Sequence, residues 1–351
     1  MPFPEINTQL TTPGKILVVR LSSIGDIILT TPLLRSLKTA FPAARITFVI
    51  KKQFEELLVS CPYIDELVTF DKKEGFGGLN KLKTYLGNQH FDLFLDIHKN
   101  WRSRYLRLGL HAKSIRSYQK LIFKRTLLIW FKINLYGKVK PVYERYFDSV
   151  RDLGLNYDGQ GTEIHVGDGA SKKVREILAG KGYDFVKPLV VICPSANHYN
   201  KRWKPSGFVE TAQYLVREKS AFIVVHGGAG DRKLCAEISN SIGHQACSLA
   251  GSLSLSESAS LLQFSTLVIA NDTGLLHMAQ SQKRPVIGIY GPTTRELGYF
   301  PIEKESTVIE TSVSCRPCTH NGLESCPKKH FRCMNDISSE MVIQAALLYL
   351  P

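Results

Sequence analysis

Asp26 stands six residues beyond Arg20, where the short apolar run Lys15–Arg20 (KILVVR) ends, and it opens a stretch with helical apolar spacing. A carboxylate in the first turn of a helix has two uses. It can complement the partial positive charge of the helix end. If that end faces a ligand, it can also take the proton from a hydroxyl attacking an electrophilic carbon. Ser22 and Ser23 just before it are good N-cap residues, and Gly25 lets another chain or a ligand come close to the backbone. These three are candidate contacts for the group that loses the proton.

Three loops in the second half suit phosphate chemistry. Asn271-Asp272-Thr273-Gly274-Leu275-Leu276-His277 follows the run Thr266–Ala270. Asp272 or Thr273 would cap a helix whose free N–H groups can hold an anion, and Gly274 removes a side chain that would block approach. The bland alternative is a well-capped helix with no ligand. His226-Gly227-Gly228-Ala229-Gly230-Asp231 puts three glycines in four positions, a pattern for close backbone approach, with Asp231 able to bond a ribose hydroxyl. A flexible turn explains it equally well. Pro194-Ser195-Ala196-Asn197, followed by Lys201-Arg202-Trp203, combines small residues with a cation that can offset charge building on a departing diphosphate. The competing reading is a solvated basic turn with Trp203 in the core.

These loops need elements to position them. Lys15–Arg20, Arg45–Ile50, Glu66–Phe70 and Asp92–Asp96 read as strands, with a helix over Ile24–Lys38. The pattern restarts with strands Leu189–Cys193, Ala221–His226, Thr266–Ala270 and Pro285–Tyr290, and with helices Pro205–Arg217, Asp231–Ile242, Ser256–Phe264 and Gly274–Ser281. Between the series lie Val142–Leu153, read as helix, and the polar, Gly-rich stretch Asn156–Gly169, where the domain boundary is expected. Strand–helix alternation builds parallel sheets with helices on both faces. Ligands then bind beyond the carboxyl ends of the strands, which is where every candidate above falls. Ser339–Leu350 reads as a last helix.

The 351 residues are 44% hydrophobic and 22% charged, ordinary globular usage with room for two domains. The start, MPFPEINTQL, lacks the marks of a signal peptide, and no apolar run reaches membrane-spanning length, so a cytoplasmic protein is expected. Net charge is +14, and it is concentrated: Ile97–Phe147 holds thirteen lysines and arginines against one acid, Glu144. Lys99, Arg102 and Arg125 belong to this segment and are candidates for an anionic acceptor. Its aromatics, with Leu127–Tyr136 (LLIWFKINLY), suit an anionic bilayer interface; nucleic acid is the other partner such a composition can mean, but no RNA-binding signature is present. A helix packed on the first domain is the bland alternative. Cys61, Cys193, Cys235 and Cys247 read as scattered free thiols. Cys315, Cys318, Cys326 and Cys333, with His320 or His330, have residue types that can hold zinc, but the irregular spacing favours a packed thiol-rich loop.

Taken together, KILVVRLSSIGDIILTTPLLRSLK at 15–38, NKRWKPSGF at 200–208, HGGAGD at 226–231, LAGSLSLSE at 249–257 and NDTGLLHMA at 271–279 resemble glycosyltransferase family 9, the ADP-heptose:lipopolysaccharide heptosyltransferases, and the Cys-rich stretch resembles one seen in its heptosyltransferase II-like members. The resemblance implies a GT-B architecture: two Rossmann-like parallel-sheet α/β domains facing a cleft. Residues 1–160 would bind the acceptor, 161–335 the nucleotide sugar with the Cys-rich tail attached, and 336–351 would form a helix that can pack back on the first domain. It implies an inverting transfer of heptose or a related sugar from ADP-heptose to the lipopolysaccharide inner core. Asp26 would be the catalytic aspartate and Lys201 the cleft lysine, with Asp272, Thr273 and Gly274 at the phosphate-binding helix start and His277 as the motif histidine. Ser195, Ala196, Gly227 and Asp231 complete the expected donor side; Ser22, Ser23, Gly25, Lys99, Arg102 and Arg125 complete the acceptor side. The family often has K-x-W-P, whereas Lys204 separates Trp203 from Pro205 here. No metal or cofactor is expected, since Lys201 and the helix end would carry the diphosphate charge. The acceptor would be a phosphorylated, lipid-linked glycan, which allows peripheral residence on the inner membrane. A sugar-nucleotide epimerase of the same architecture, or a non-catalytic nucleotide- or nucleic-acid-binding protein, are the alternatives.

Overall fold

The computed structural model describes residues 12–301 and 303–350, so the expectation drawn from MPFPEINTQL lies outside the described residues. The first sheet contains β1 (Lys15–Val19), β2 (Arg45–Lys51), β3 (Glu66–Phe70), β4 (His90–Asp96) and β5 (His111–Ser117), in the order β3-β2-β1-β4-β5. The second contains β6 (Leu189–Cys193), β7 (Phe222–Val225), β8 (Ala246–Ser248), β9 (Leu267–Asn271), β10 (Val286–Tyr290) and β11 (Ser306–Glu310), in the order β11-β10-β9-β6-β7-β8. Every pairing is parallel. The central strands are uniformly apolar because helices cover both faces. Strand order reverses between β1 and β4 in the first sheet and between β6 and β9 in the second. Those reversals are where the flanking helices diverge and leave a crevice.

In the first domain the helices are α1 (Ile24–Ile28), α2 (Thr31–Ala40), α3 (Gly75–Gly87), α4 (Trp101–Arg107), α5 (Ile122–Thr126) and α6 (Val142–Phe147). The second adds α7 (Asp168–Gly180), α8 (Pro205–Lys219), α9 (Arg232–Ile242), α10 (Leu255–Phe264), α11 (Gly274–Ser281), α12 (Arg332–Asn335) and α13 (Ser339–Ala346). The single helix expected over Ile24–Lys38 is two. Thr30 sits at the N-cap position of α2 with its hydroxyl turned back to the Ile27 carbonyl, and Pro32 lies in the first turn, where a missing N–H costs nothing. Val142–Leu153 likewise divides into α6 and a 3₁₀ turn, Arg151–Leu153. The edge strands β5, β8 and β11 have no continuous apolar run, and the sequence pattern misses all three.

One apolar core runs through both domains, joining Ile16 and Ile27 of the first to Val191 and Leu276 of the second. A second core lies on the outer face of the rear sheet around Trp203 and Phe208, and includes Val342 and Ala346 of α13. That corrects the expectation of a return to the first domain: α13 packs on α8, β10 and β11. The boundary stretch is a strap bonded to both halves. Arg35 of α2 pairs with Asp158 at 2.6 Å and with Glu163. Lys283 of the second domain donates to the Gln160 carbonyl and, at 3.0 Å, to Glu303.

Candidate active site

On the front half, β1 ends at the sheet reversal and delivers Arg20 and Asp26 to the crevice. Arg20 is buried; its Nη2 lies 2.7 Å from Asp26 Oδ1 and its Nη1 donates to the Ile97 carbonyl at 2.7 Å. Ser23 donates to Asp26 Oδ2 from both N (3.2 Å) and Oγ (2.9 Å), so the helix cap and the carboxylate hold one another. Burial works to raise the Asp26 pKa, but the Arg20 charge and the Ser23 bonds outweigh it and hold the group below the usual carboxylate range. The side chain keeps 16% of its surface exposed. It is therefore a fixed anion that a small ligand can still reach.

On the rear half, β6 and β9 lie side by side and present Lys201 and Asp272. Lys201 Nζ lies 2.6 Å from Asp272 Oδ2, which also accepts from Thr293 Oγ1 at 2.8 Å. Burial pushes the Asp272 carboxyl up, and Lys201 with Thr293 more than reverses it. Asn271 fixes the turn that carries the lysine: its Nδ2 donates to the Pro194 carbonyl and its Oδ1 accepts from Trp203 N. Trp203 is buried, with Nε1 bonded to the Ile337 carbonyl, so the packed reading of this tryptophan is the observed one. The extra Lys204 is absorbed as the N-cap of α8, ahead of Pro205. Thr273, not Asp272, caps α11, its hydroxyl accepting from Leu275 N at 3.2 Å. The N–H groups of Thr273 and Gly274 precede the first intrahelical bonds and are the ones suited to an anion.

The two halves touch at these same helix starts. A Cβ on Gly274 would lie 2.8 Å from Ile24 Cβ, and one on Gly25 would lie 2.5 Å from His277 Cδ2. Both glycines thus serve the contact between α1 and α11, a reason the motifs alone did not disclose. His277 is buried with Nδ1 unpaired. Burial lowers its pKa, with Asp272 and Asp26 opposing, so it stands as a neutral ring between the two carboxylates. Tyr299 reaches from the rear half and donates to Asp26 Oδ1 at 3.2 Å.

The remaining expected residues divide. Ser195 Oγ and Gly228 N both donate to Asp231 Oδ2 at 2.8 Å, so Asp231 joins the loops after β6 and β7 and is already engaged. A Cβ on Gly227 would press on Asp231, and the Ala196 carbonyl accepts from Arg202. Lys99 spends its ammonium on the Tyr118 carbonyl at 3.1 Å. Arg102 stacks over the exposed Trp101 ring at 4.4 Å. Arg125 Nη1 crosses to the rear half, 3.1 Å from His320 Nε2.

Three residues of the candidate site went unread in the sequence, Arg20, His98 and Tyr299, and a fourth, His320, was read only as a possible metal ligand. His98 lies two residues past β4, so the rule that found Asp26 could have found it; burial beside Arg20 pushes it down to about 3. His320 lies in the Cys-rich tail but turns toward the cleft, 6.1 Å from the Tyr299 ring, and burial beside Arg125 pushes it down to about 4. The four tail cysteines are free thiols, and burial raises Cys333 to about 11. Among the described residues no group of three or more His, Cys, Asp or Glu side chains is arranged to hold a metal ion.

The sequence profile described as glycosyltransferase family 9 (heptosyltransferase) matches residues 79–329, well over half of the chain. The chain belongs to that family. It is a glycosyltransferase with the GT-B fold. Over 281 residues it is 24% identical to the lipopolysaccharide core heptosyltransferase OpsX of Haemophilus influenzae, covering 79% of each chain. It is 27% identical to lipopolysaccharide heptosyltransferase 3 of Escherichia coli, covering 77% of this chain and 80% of that one. The solved family 9 glycosyltransferase of Veillonella parvula superposes with a TM-score of 0.82 at 26% identity, covering 96% of this chain and 97% of that one. Escherichia coli ADP-heptose LPS heptosyltransferase II superposes at 0.72 with 20% identity, covering 95% and 98%. No helix among the described residues of this glycosyltransferase is long and apolar enough to cross a membrane.

Proposed function

We propose that this glycosyltransferase moves heptose from ADP-heptose to a hydroxyl of the lipopolysaccharide inner core, inverting the anomeric centre. One observation carries the reading. Asp26, a held anion on the front half, is joined through Tyr299 to a rear half that offers Lys201 and the α11 start. An inverting transfer needs that opposition: a proton acceptor on one side of the anomeric carbon and a holder of the leaving diphosphate on the other.

The acceptor hydroxyl attacks the anomeric carbon as the bond to the β-phosphate oxygen breaks. Its proton passes to Asp26, and the electron pair of the broken bond leaves with ADP. Both Asp26 oxygens are bonded at rest, and the Ser23 hydroxyl is the partner that can rotate away to admit the acceptor. Because Asp26 is a weak base, its proton transfer occurs late, once the attacking oxygen has lost electron density to the new bond. Lys201 has two N–H bonds left after pairing with Asp272, and these with the Thr273 and Gly274 N–H groups meet the diphosphate charge. Ser195, Ala196, Gly227 and Asp231 would hold the nucleoside, and the basic segment with Lys99, Arg102 and Arg125 a phosphorylated, lipid-linked acceptor. No step calls for a divalent cation.

The test is ADP release from ADP-heptose with purified inner-core acceptors, run with and without a chelator, for the native chain and Asp26→Asn. Release that needs acceptor and Asp26, with ADP affinity retained in the variant, supports the reading. Undiminished turnover in Asp26→Asn removes the base, and turnover lost to the chelator removes the cation-free mechanism.

A further inference from the structure

Residues 121–136 form an excursion from the first domain that exposes an unusual number of large apolar side chains. It begins with α5, continues as one π-helical turn over Leu127–Phe131, and leaves through Lys132, whose φ of 60° turns the chain. Several of its cationic and amide groups bond back to the protein. Arg125 reaches His320, Lys132 Nζ donates to the carbonyls of Cys315 (2.8 Å) and Pro317 (2.6 Å), and Asn134 bonds Glu296. Leu128 and Tyr136 are buried and anchor it, but most of its large apolar groups point outward: Phe123 is 71% exposed, Trp130 77% and Phe131 67%, with Ile122, Ile133 and Leu135 also exposed. Single exposed apolar residues are ordinary, but six large ones within fourteen positions, three of them aromatic, mark a surface that meets something.

We infer that this excursion docks the enzyme on an anionic lipid bilayer, with Phe123, Trp130 and Phe131 seated among the headgroups. Charge selects the occupant. The segment Ile97–Phe147 carries thirteen cations and one acid; Lys113, Arg116 and Lys140 pair with Asp92, Asp152 and Asp148 outside that count, and the positive excess that remains would repel a second copy and attract an anionic membrane surface. Tryptophan and phenylalanine beside lysines are the side chains that reside at the headgroup level. The excursion is too short to span and is tied down at both sides, so it lies on the surface. Arg125 and His320 connect it to Tyr299 and hence to Asp26. A docked excursion would therefore hold the mouth of the cleft at the membrane. Only that last consequence rests on the lipid-linked acceptor proposed above.

The experiment uses the full chain with vesicles of phosphatidylcholine alone or mixed with phosphatidylglycerol. The chain has three tryptophans, of which Trp203 is buried, so a Trp101→Phe background makes Trp130 the reporter. Expected are co-sedimentation with the anionic vesicles and a blue shift of Trp130 emission on binding. The combined variant Phe123→Ser, Trp130→Ser and Phe131→Ser should bind about tenfold or more weakly, because buried apolar area sets interfacial affinity. Its melting temperature and its turnover on a water-soluble, delipidated acceptor should be unchanged. Three results overturn the inference: no binding to anionic vesicles at low salt, binding that the combined variant retains in full, or a native dimer that the variant converts to monomer. Vesicle binding requires no sugar transfer, so an enzyme that docks but transfers no heptose would defeat the proposed reaction and leave the docking face standing.

Discussion

Each half of the cleft sets a carboxylate against a cation, and the two pairs are built for different ends. In the front pair Arg20 meets Asp26 at 2.7 Å; in the rear pair Lys201 meets Asp272 at 2.6 Å. The front cation is the anchored partner: the Arg20 guanidinium spends its other nitrogens on the Ser22 and Ile97 carbonyls and cannot leave. In the rear pair the anchored partner is the acid, with Thr293 closing Asp272 Oδ2 and only 7% of its side chain exposed. So the front pair pins a cation to present a carboxylate, and the rear pair pins a carboxylate to present an ammonium. In the proposed reaction the same two charges would supply a proton acceptor on one side and an anion holder on the other, according to which member the fold immobilises.

This contrast sets the order of expected effects. Asp26→Asn removes the presented group of the front pair and should cut turnover by about 10²–10⁴-fold with ADP affinity intact, measured by steady-state kinetics and calorimetry. Lys201→Ala removes the presented group of the rear pair and should lower kcat by about 10²–10³-fold. It also strands a buried charge, at a cost of about 3–5 kcal/mol in denaturant unfolding. Adding Asp272→Asn should restore most of that stability and none of the rate. If it restores both, the lysine only neutralises Asp272. Gly25→Ala should cost about 1–3 kcal/mol, since the new methyl meets His277 where α1 and α11 touch; unchanged unfolding would show that the contact yields easily.

Tyr299→Phe should have the smallest effect, about tenfold in kcat, as one hydrogen bond to a charge is lost. Its sharper signature is in pH. Asp26 must be ionised to act, and its folded pKa is held low, so activity is present above that value and lost as pH falls through it. Removing a donor raises the value, and the acid limb of the rate profile should move to higher pH. A limb that stays put would make Tyr299 a packing residue.

How much of this was legible depends on distance along the chain. Asp26, Thr273 and Gly274 were legible because each lies at the start of the helix that follows a buried strand, and parallel sheets present such connections to the crevice. Tyr299 was not, because it lies in a loop with no periodicity and its partner is 273 residues away. His320 was read only as a possible ligand among cysteines, since nothing in a CxxC-type spacing says which way a neighbouring ring turns. The glycines show a subtler gap: motif reasoning put Gly274 where a backbone must be approached closely, but the approaching group observed is Ile24 of the other domain. The strands β5, β8 and β11 escaped because they are only partly buried, which leaves no unbroken apolar signature.

The meeting of Gly25 with His277 and of Gly274 with Ile24 has one mechanical corollary. Where two helix starts abut with no space for a methyl group, the bodies they belong to can rock but cannot slide. The point works as a fulcrum set directly beneath the reacting groups. Any opening that admits substrate would then have to part the outer rims while Asp26 and Thr273 turn about this contact.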